Sequence, residues 1–206
     1  EDVSDGIFPV DELWSDPVDG KELVHDIKAI IPSHVVLTEH QALAAALWTL
    51  LTYVLAIFRV CPRLLIYSPE KRCGKTTLLE VLQALCNRAL ATANITPAAL
   101  FRSIEAWSPT LIIDEADTFV HGNDELRGVL NSGHTRSTAY VIRTVGDDHM
   151  PAQFSTFAPI ALGMIKRPPD TIFDRSIQVM LPRKLTSDAV KALPLEADIA
   201  YQPIRQ

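Results

Sequence analysis

Gly74-Lys75-Thr76 stands between a short apolar run and an amphipathic helical pattern, and these residue types in this order can hold a polyphosphate. The chemistry asks for backbone N–H groups turned toward the anion and a Gly where the chain closes on it. It also asks for a Lys on the β- and γ-phosphates and a hydroxyl on Mg²⁺. Gly74, Lys75 and Thr76 supply the last three. The candidate nucleotide-binding loop is the run Pro69, Glu70, Lys71, Arg72, Cys73, Gly74, Lys75, Thr76 and Thr77. The full P-loop pattern has a Gly where this chain carries Pro69, so the match is incomplete. Cys73, beside Arg72, Lys75 and a helix start, reads as a thiol whose modification would block the site.

A second group of residues fits the same chemistry. Leu111-Ile112-Ile113 is an apolar strand ending in Asp114-Glu115. In a P-loop ATPase the first carboxylate, Asp114, holds magnesium through water and the second, Glu115, polarises the attacking water. An Asp-Glu pair is more often an ordinary solvated strand end. Its place after an apolar strand, downstream of a phosphate loop, favours the catalytic reading of Lys75, Thr76, Asp114 and Glu115 together, with Thr76 and Asp114 as the metal residues.

These side chains need a scaffold. Leu64, Leu65, Ile66 and Tyr67 form a strand suited to burial on both faces of a parallel sheet. Leu78, Val81, Leu82 and Leu85 recur at helical spacing, so strand, turn and helix follow in order. Ala89 to Asn94 is a short strand, and Thr96-Pro97 caps a helix that runs to Trp107. Asn123 caps a further helix through Leu130, with Gly133 as its stop. Ala139 to Val145 and Gln153 to Thr156 pair as a hairpin around Gly146-Asp147-Asp148. Pro159 to Ile165 and Ile177 to Leu181 complete five parallel strands alternating with helices, an α/β three-layer fold. Beyond Pro182 the chain is polar and Pro-interrupted, and only Ser187 to Leu193 reads as helical.

The chain has 206 residues, 48% of them hydrophobic, enough to bury one sizeable core. Its formal charge is −6. Eight acidic side chains against Lys21 fall in the first 22 residues, leaving the remainder at +1. The organisation expected is an acidic extended leader at 1–22, a helical segment at 23–62, the ATPase core at 63–185 and a tail at 186–206. A near-neutral body neither demands nor excludes nucleic acid. Cys61, Cys73 and Cys86 show no metal-ligand spacing, which argues for reduced thiols in a cytoplasmic setting. Ala42 to Phe58 carries no charge but is read as a buried helix rather than a membrane span, because Arg63 opens a strand almost at once.

Five segments taken together sharpen the picture: Ser68 to Thr76, Pro109 to Asp117, Glu125 to His134, Phe154 to Pro159, and Pro169 to Ile177. Together they resemble a family of P-loop ATPase domains, formally of unknown function, found in phage, plasmid and bacterial proteins of helicase-like or primase-associated type. The resemblance covers roughly residues 30 to 185, and Pro69 is usual in that family. More broadly the chain resembles AAA+ ATPases. That implies an AAA+-like sheet, ATP and Mg²⁺ as ligands, a homo-oligomeric ring (a hexamer among its forms) and single-stranded DNA as partner, without a membrane. It also implies a role for Arg175 as an arginine finger in a neighbour's site, with Arg143 and Arg136 as lesser candidates. The plain alternative is an Arg175 that caps a turn or pairs with Asp170 or Asp174. The water-positioning sensor is Thr156 or Lys166, the latter nearer the phosphate end. Little or no C-terminal lid is evident. Two functions follow: a replication motor driven by ATP hydrolysis, or a nucleotide-dependent switch or scaffold with slow or no hydrolysis. A start without Met and a tail that stops where a lid would begin fit a piece of a larger protein.

Overall fold

Leu64 and Ile66 pack to one side of strand β1 (Arg63–Tyr67) and Leu65 to the other, and all three are fully buried. Alternate residues of a strand face opposite ways, so a strand buried on both faces needs a layer above and a layer below. The computed structural model describes residues 6–8, 12, 14–120, 122–165, 167–185 and 188–206. Strands β2 (Ala89–Thr92), β3 (Thr110–Ile113), β4 (Tyr140–Val145), β5 (Met150–Ser155), β6 (Ile160–Met164) and β7 (Ser176–Met180) follow β1. Five of them form one sheet in the order β2-β3-β6-β1-β7, every pairing parallel. The α/β architecture with a five-stranded parallel sheet is therefore as expected.

One layer is built from α1 (Gly20–His34), α2 (Glu39–Tyr53) and α3 (Lys75–Leu85), which bury Ile27, Ile31, Trp48, Leu78 and Leu82 against Leu64, Ile66 and Val179. Each such aliphatic side chain withdrawn from water contributes about 1.5–3 kcal/mol. The other layer is α4 (Pro97–Trp107) and α6 (Asp124–Ser132), whose Leu100, Phe101, Leu126 and Leu130 meet Leu65, Leu111 and Leu162. Helix starts obey capping chemistry: Asp19 caps α1, a Thr38/Gln41 capping box opens α2, Thr96 caps α4 and Asn123 caps α6. Helix α1 thus begins at Gly20, inside the acidic stretch, and Phe8 from that stretch is 9% exposed with the Arg88 guanidinium over its ring. Among the described residues no helix is long and apolar enough to cross a membrane.

Strands β4 and β5 form the expected hairpin, a separate antiparallel pair whose Phe154 stacks on Phe101 of α4. Its turn, Gly146 to His149, is exposed. The tail departs from expectation. Among the described residues 188–193 there is no helix, because Pro194 follows closely and the Lys191 N–H is given to Ser33 of α1 instead. The short helices come later, α8 (Ala197–Ala200) and α9 (Gln202–Arg205), and lie against α3 with Arg205 donating to the Ala84 carbonyl.

Candidate functional site

Parallel strands deliver their following loops to one end of the sheet, so the segments after β1, β3, β6 and β7 converge there. The loop after β1 runs from Ser68 to Gly74 and turns directly into α3. Arg72 and Gly74 both take positive φ, 63° and 88°. Left-handed residues on either side of Cys73 give the loop the backbone pattern from which anion-binding nests are built, here at the positive end of a helix of 11 residues. Lys75 opens α3, and its ammonium donates to the Ser68 hydroxyl at 2.8 Å. Ser68 in turn donates to the Glu70 carbonyl, which closes the loop on itself. Pro69, Glu70, Lys71 and Arg72 are exposed along its rim. Thr77 lines the cleft beside Thr76.

The Thr76 hydroxyl donates to Asp114 Oδ2 at 2.8 Å, joining two segments separated by strand β6 in the sheet. Asp114 Oδ1 accepts the N–H of Glu115 at 2.8 Å, and Glu115 sits at φ 51°. A left-handed non-glycine residue is strained backbone that persists only where its surroundings fix it. Room for Asp114 comes from Gly163 on β6, where an added Cβ would approach Asp114 Oδ1 and Leu79 Cδ1 at 2.8 Å each. Asp117, the first residue of the short helix α5 (Asp117–Val120), accepts the Ile165 N–H at 2.9 Å and so ties the end of β6 to the same corner.

A cleft of about 350 Å³ opens over this loop. Its floor is Arg72 to Thr77, one wall is His34, Val35 and Val36 at the end of α1, and Lys184 and Val190 of the tail form the other. The volume lies within the range of small-ligand sites. Arg72, Lys75 and Lys184 give it a cationic lining, and Arg183 pairs loosely with Glu70 at 3.4 Å. His34 is 6% exposed, with Nδ1 on the Lys191 carbonyl at 3.1 Å and Nε2 on the Tyr201 hydroxyl at 2.5 Å, so the wall and the tail are latched together. The α1 wall and Lys184 were missed in the sequence. Lys184 had a readable signal, since it follows the last strand at the loop end of the sheet; the wall had none, because α1 precedes the motif entirely. Cys73 is 4% exposed with its thiol turned to the Glu70 and Lys71 carbonyls, so reagents meet it only when the loop opens.

The other expected residues lie elsewhere. Thr156 is buried before the start of β6, bonded to Ser132 at 3.0 Å, at the end of the sheet away from Lys75. It therefore cannot touch a ligand on that loop. Lys166 lies outside the described residues. Arg175 precedes β7 at the same far end, and its guanidinium donates to the Thr171 carbonyl at 2.8 Å, capping α7 (Asp170–Phe173). Asp170 pairs with Arg167 instead. Arg136 is held by the Leu55, Ala56 and Phe58 carbonyls and covers the Phe157 ring, while Arg143 pairs with Glu125. No metal-binding cluster of three or more His, Cys, Asp or Glu residues occurs among the described residues. One hydroxyl with one carboxylate fits Mg²⁺, which takes few protein ligands and completes its shell with phosphate and water.

Fold and site together define an α/β chain with a parallel five-stranded sheet and a cationic loop-and-carboxylate corner at the strand ends. No family model matches the chain, and no curated protein matches it.

Proposed function

We propose that this chain is an AAA+-like P-loop ATPase that binds ATP with Mg²⁺ and hydrolyses it as the motor module of a helicase- or primase-associated replication protein. The observation that carries the reading is the 2.8 Å contact of Thr76 with Asp114, formed at the mouth of a nest that also presents Lys75. Thr76 and Asp114 would hold Mg²⁺, which supplies charge neutralisation on the phosphate oxygens. Lys75 exchanges its Ser68 contact for the β- and γ-phosphates. Glu115 orients and polarises the attacking water. Arg175, at the opposite end of the sheet from its own Lys75, serves a second copy's site, which makes hydrolysis a property of the homo-oligomer. Single-stranded DNA is the polymer such a ring would act on.

Lys75→Ala is expected to abolish nucleotide binding, and Glu115→Gln to bind ATP without turnover. Equal turnover by wild type and Glu115→Gln sinks the assignment. A nucleotide-dependent switch with slow or no hydrolysis is the second reading, favoured by the tail that walls the cleft and is latched at His34. The rate of ATP hydrolysis against protein concentration, with and without single-stranded DNA, separates them. A rate that rises with both supports the motor; a flat, negligible rate supports the switch.

A further inference from the structure

Arg63, the first residue of β1, is 1% exposed, and burial lowers its pKa to about 10. A desolvated guanidinium without a carboxylate is costly unless its donors are satisfied. Among the described residues no carboxylate pairs with it. Instead Nη1 donates to the Ala158 carbonyl and Nη2 to the Leu130 carbonyl, each at 2.7 Å, while Nε has no partner. Leu130 lies in the last turn of α6, where unpaired carbonyls give the helix its negative end. Gly133 packs directly on the guanidinium. A buried charge held only by backbone carbonyls fixes three elements at once: the start of β1, the end of α6 and the approach to β6.

Those elements hold Arg175 from two sides. The Arg63 N–H donates to the Arg175 carbonyl at 3.0 Å. From α6, Asn131 beside Leu130 donates to the Thr171 hydroxyl at 3.2 Å, and the Thr171 carbonyl takes the Arg175 guanidinium. The five-residue strand that begins at Arg63 ends at the nucleotide loop, roughly 16 Å away. Resting on the reading of Arg175 as a group that acts in a second copy, we infer that Arg63 is a positioning residue. It fixes the place of Arg175 without contributing to the nucleotide cleft of its own subunit.

The test is a double-mutant cycle on the full chain, with ATP affinity and kcat measured separately. Misplacing a catalytic group by about 1 Å costs on the order of 10²-fold, so Arg63→Met is expected to lower kcat by that factor with ATP affinity unchanged. Arg175→Ala is expected to cost on the order of 10³-fold or more. In the Arg175→Ala background, Arg63→Met is expected to change kcat by less than about twofold, because its effect passes through Arg175. Mixing Arg63→Met with Lys75→Ala chains is expected to restore turnover, since the first keeps an intact cleft and the second an intact Arg175. Should Arg63→Met lack a cooperative melt, the same cycle is run with Arg63→Lys, which keeps the charge and one donor; there too the loss is expected to vanish beside Arg175→Ala. Additive losses, weakened ATP binding by the Arg63 variant, or wild-type kcat in it overturn the inference while leaving the ATPase reading intact. A wild-type chain that binds no nucleotide overturns that reading and the inference with it.

Discussion

Gly163→Ala tests the corner where β6 supports Asp114. The added methyl would lie 2.8 Å from both Asp114 Oδ1 and Leu79 Cδ1, about 0.6 Å inside the 3.4 Å at which ordinary contact begins. Leu79 can yield at its flexible end, but Asp114 is tied by Glu115 N–H and by Thr76. Overpacking of this kind costs about 1–3 kcal/mol, and each weakened hydrogen bond adds about 0.5–1.5 kcal/mol. The Thr76 contact is exposed and counts at the low end, so a loss of about 2 kcal/mol is expected, a fall of about 4–8 °C in Tm for a chain of this length. Under the proposed ATPase reading, displacing the carboxylate is also expected to raise the Mg²⁺ concentration needed for half-maximal ATP hydrolysis. Thermal melting and a Mg²⁺ titration on Gly163→Ala measure both effects. A Tm within about 1 °C of wild type would refute the close approach, and an unchanged Mg²⁺ requirement would separate Asp114 from the metal.

Gly133→Ala is expected to cost more than about 4 kcal/mol and leave no cooperative melt, because its Cβ would meet the Thr156 carbonyl and the Arg63 guanidinium, neither of which can move away. A well-folded Gly133→Ala chain refutes that packing. At alkaline pH, burial pushes Cys86 up to about 12 and Cys61 to about 11 from an ordinary 9.0, so the folded chain keeps protons that the unfolded chain loses. Stability should fall by up to about 1.4 kcal/mol per pH unit per thiol as pH rises through the range above about 9. Arg63, lowered to about 10, acts in the opposite sense above that pH. Urea unfolding of wild type against Cys61→Ala/Cys86→Ala reads the difference, and equal slopes between about pH 9 and about pH 10 refute it. His34→Ala removes both latch contacts to the tail, each worth about 0.5–1.5 kcal/mol, and should expose residues 188–206 to limited proteolysis first. Unchanged cleavage would show that the Lys191–Ser33 and Arg205–Ala84 contacts hold the tail without it.

Much of the scaffold was legible because its signals are local. Leu64 to Tyr67 and Leu111 to Ile113 read as buried strands, Leu78 to Leu85 as one helical face, and Thr96, Asn123 and the turn at Gly146 as boundaries. The tail was misread over residues 188–193 because its backbone partner, Ser33, lies on α1 far away in the chain. Arg63 reads as the start of a strand, and it opens β1, but its burial was not legible, since only the folded chain brings the Leu130 and Ala158 carbonyls to it.

By itself the sequence determined where the residues of a candidate phosphate and metal site fall, Lys75, Thr76 and Asp114, with Glu115 as the candidate for water, and that they come after buried strands, because residue type and periodicity are written locally. Only the tertiary structure decided that Thr76 and Asp114 touch, that α1 and the tail wall the cleft, and that Thr156 and Arg175 lie at the far end of the sheet. Strand order sets those distances, and it follows from long-range pairing and burial rather than from any local run of residues.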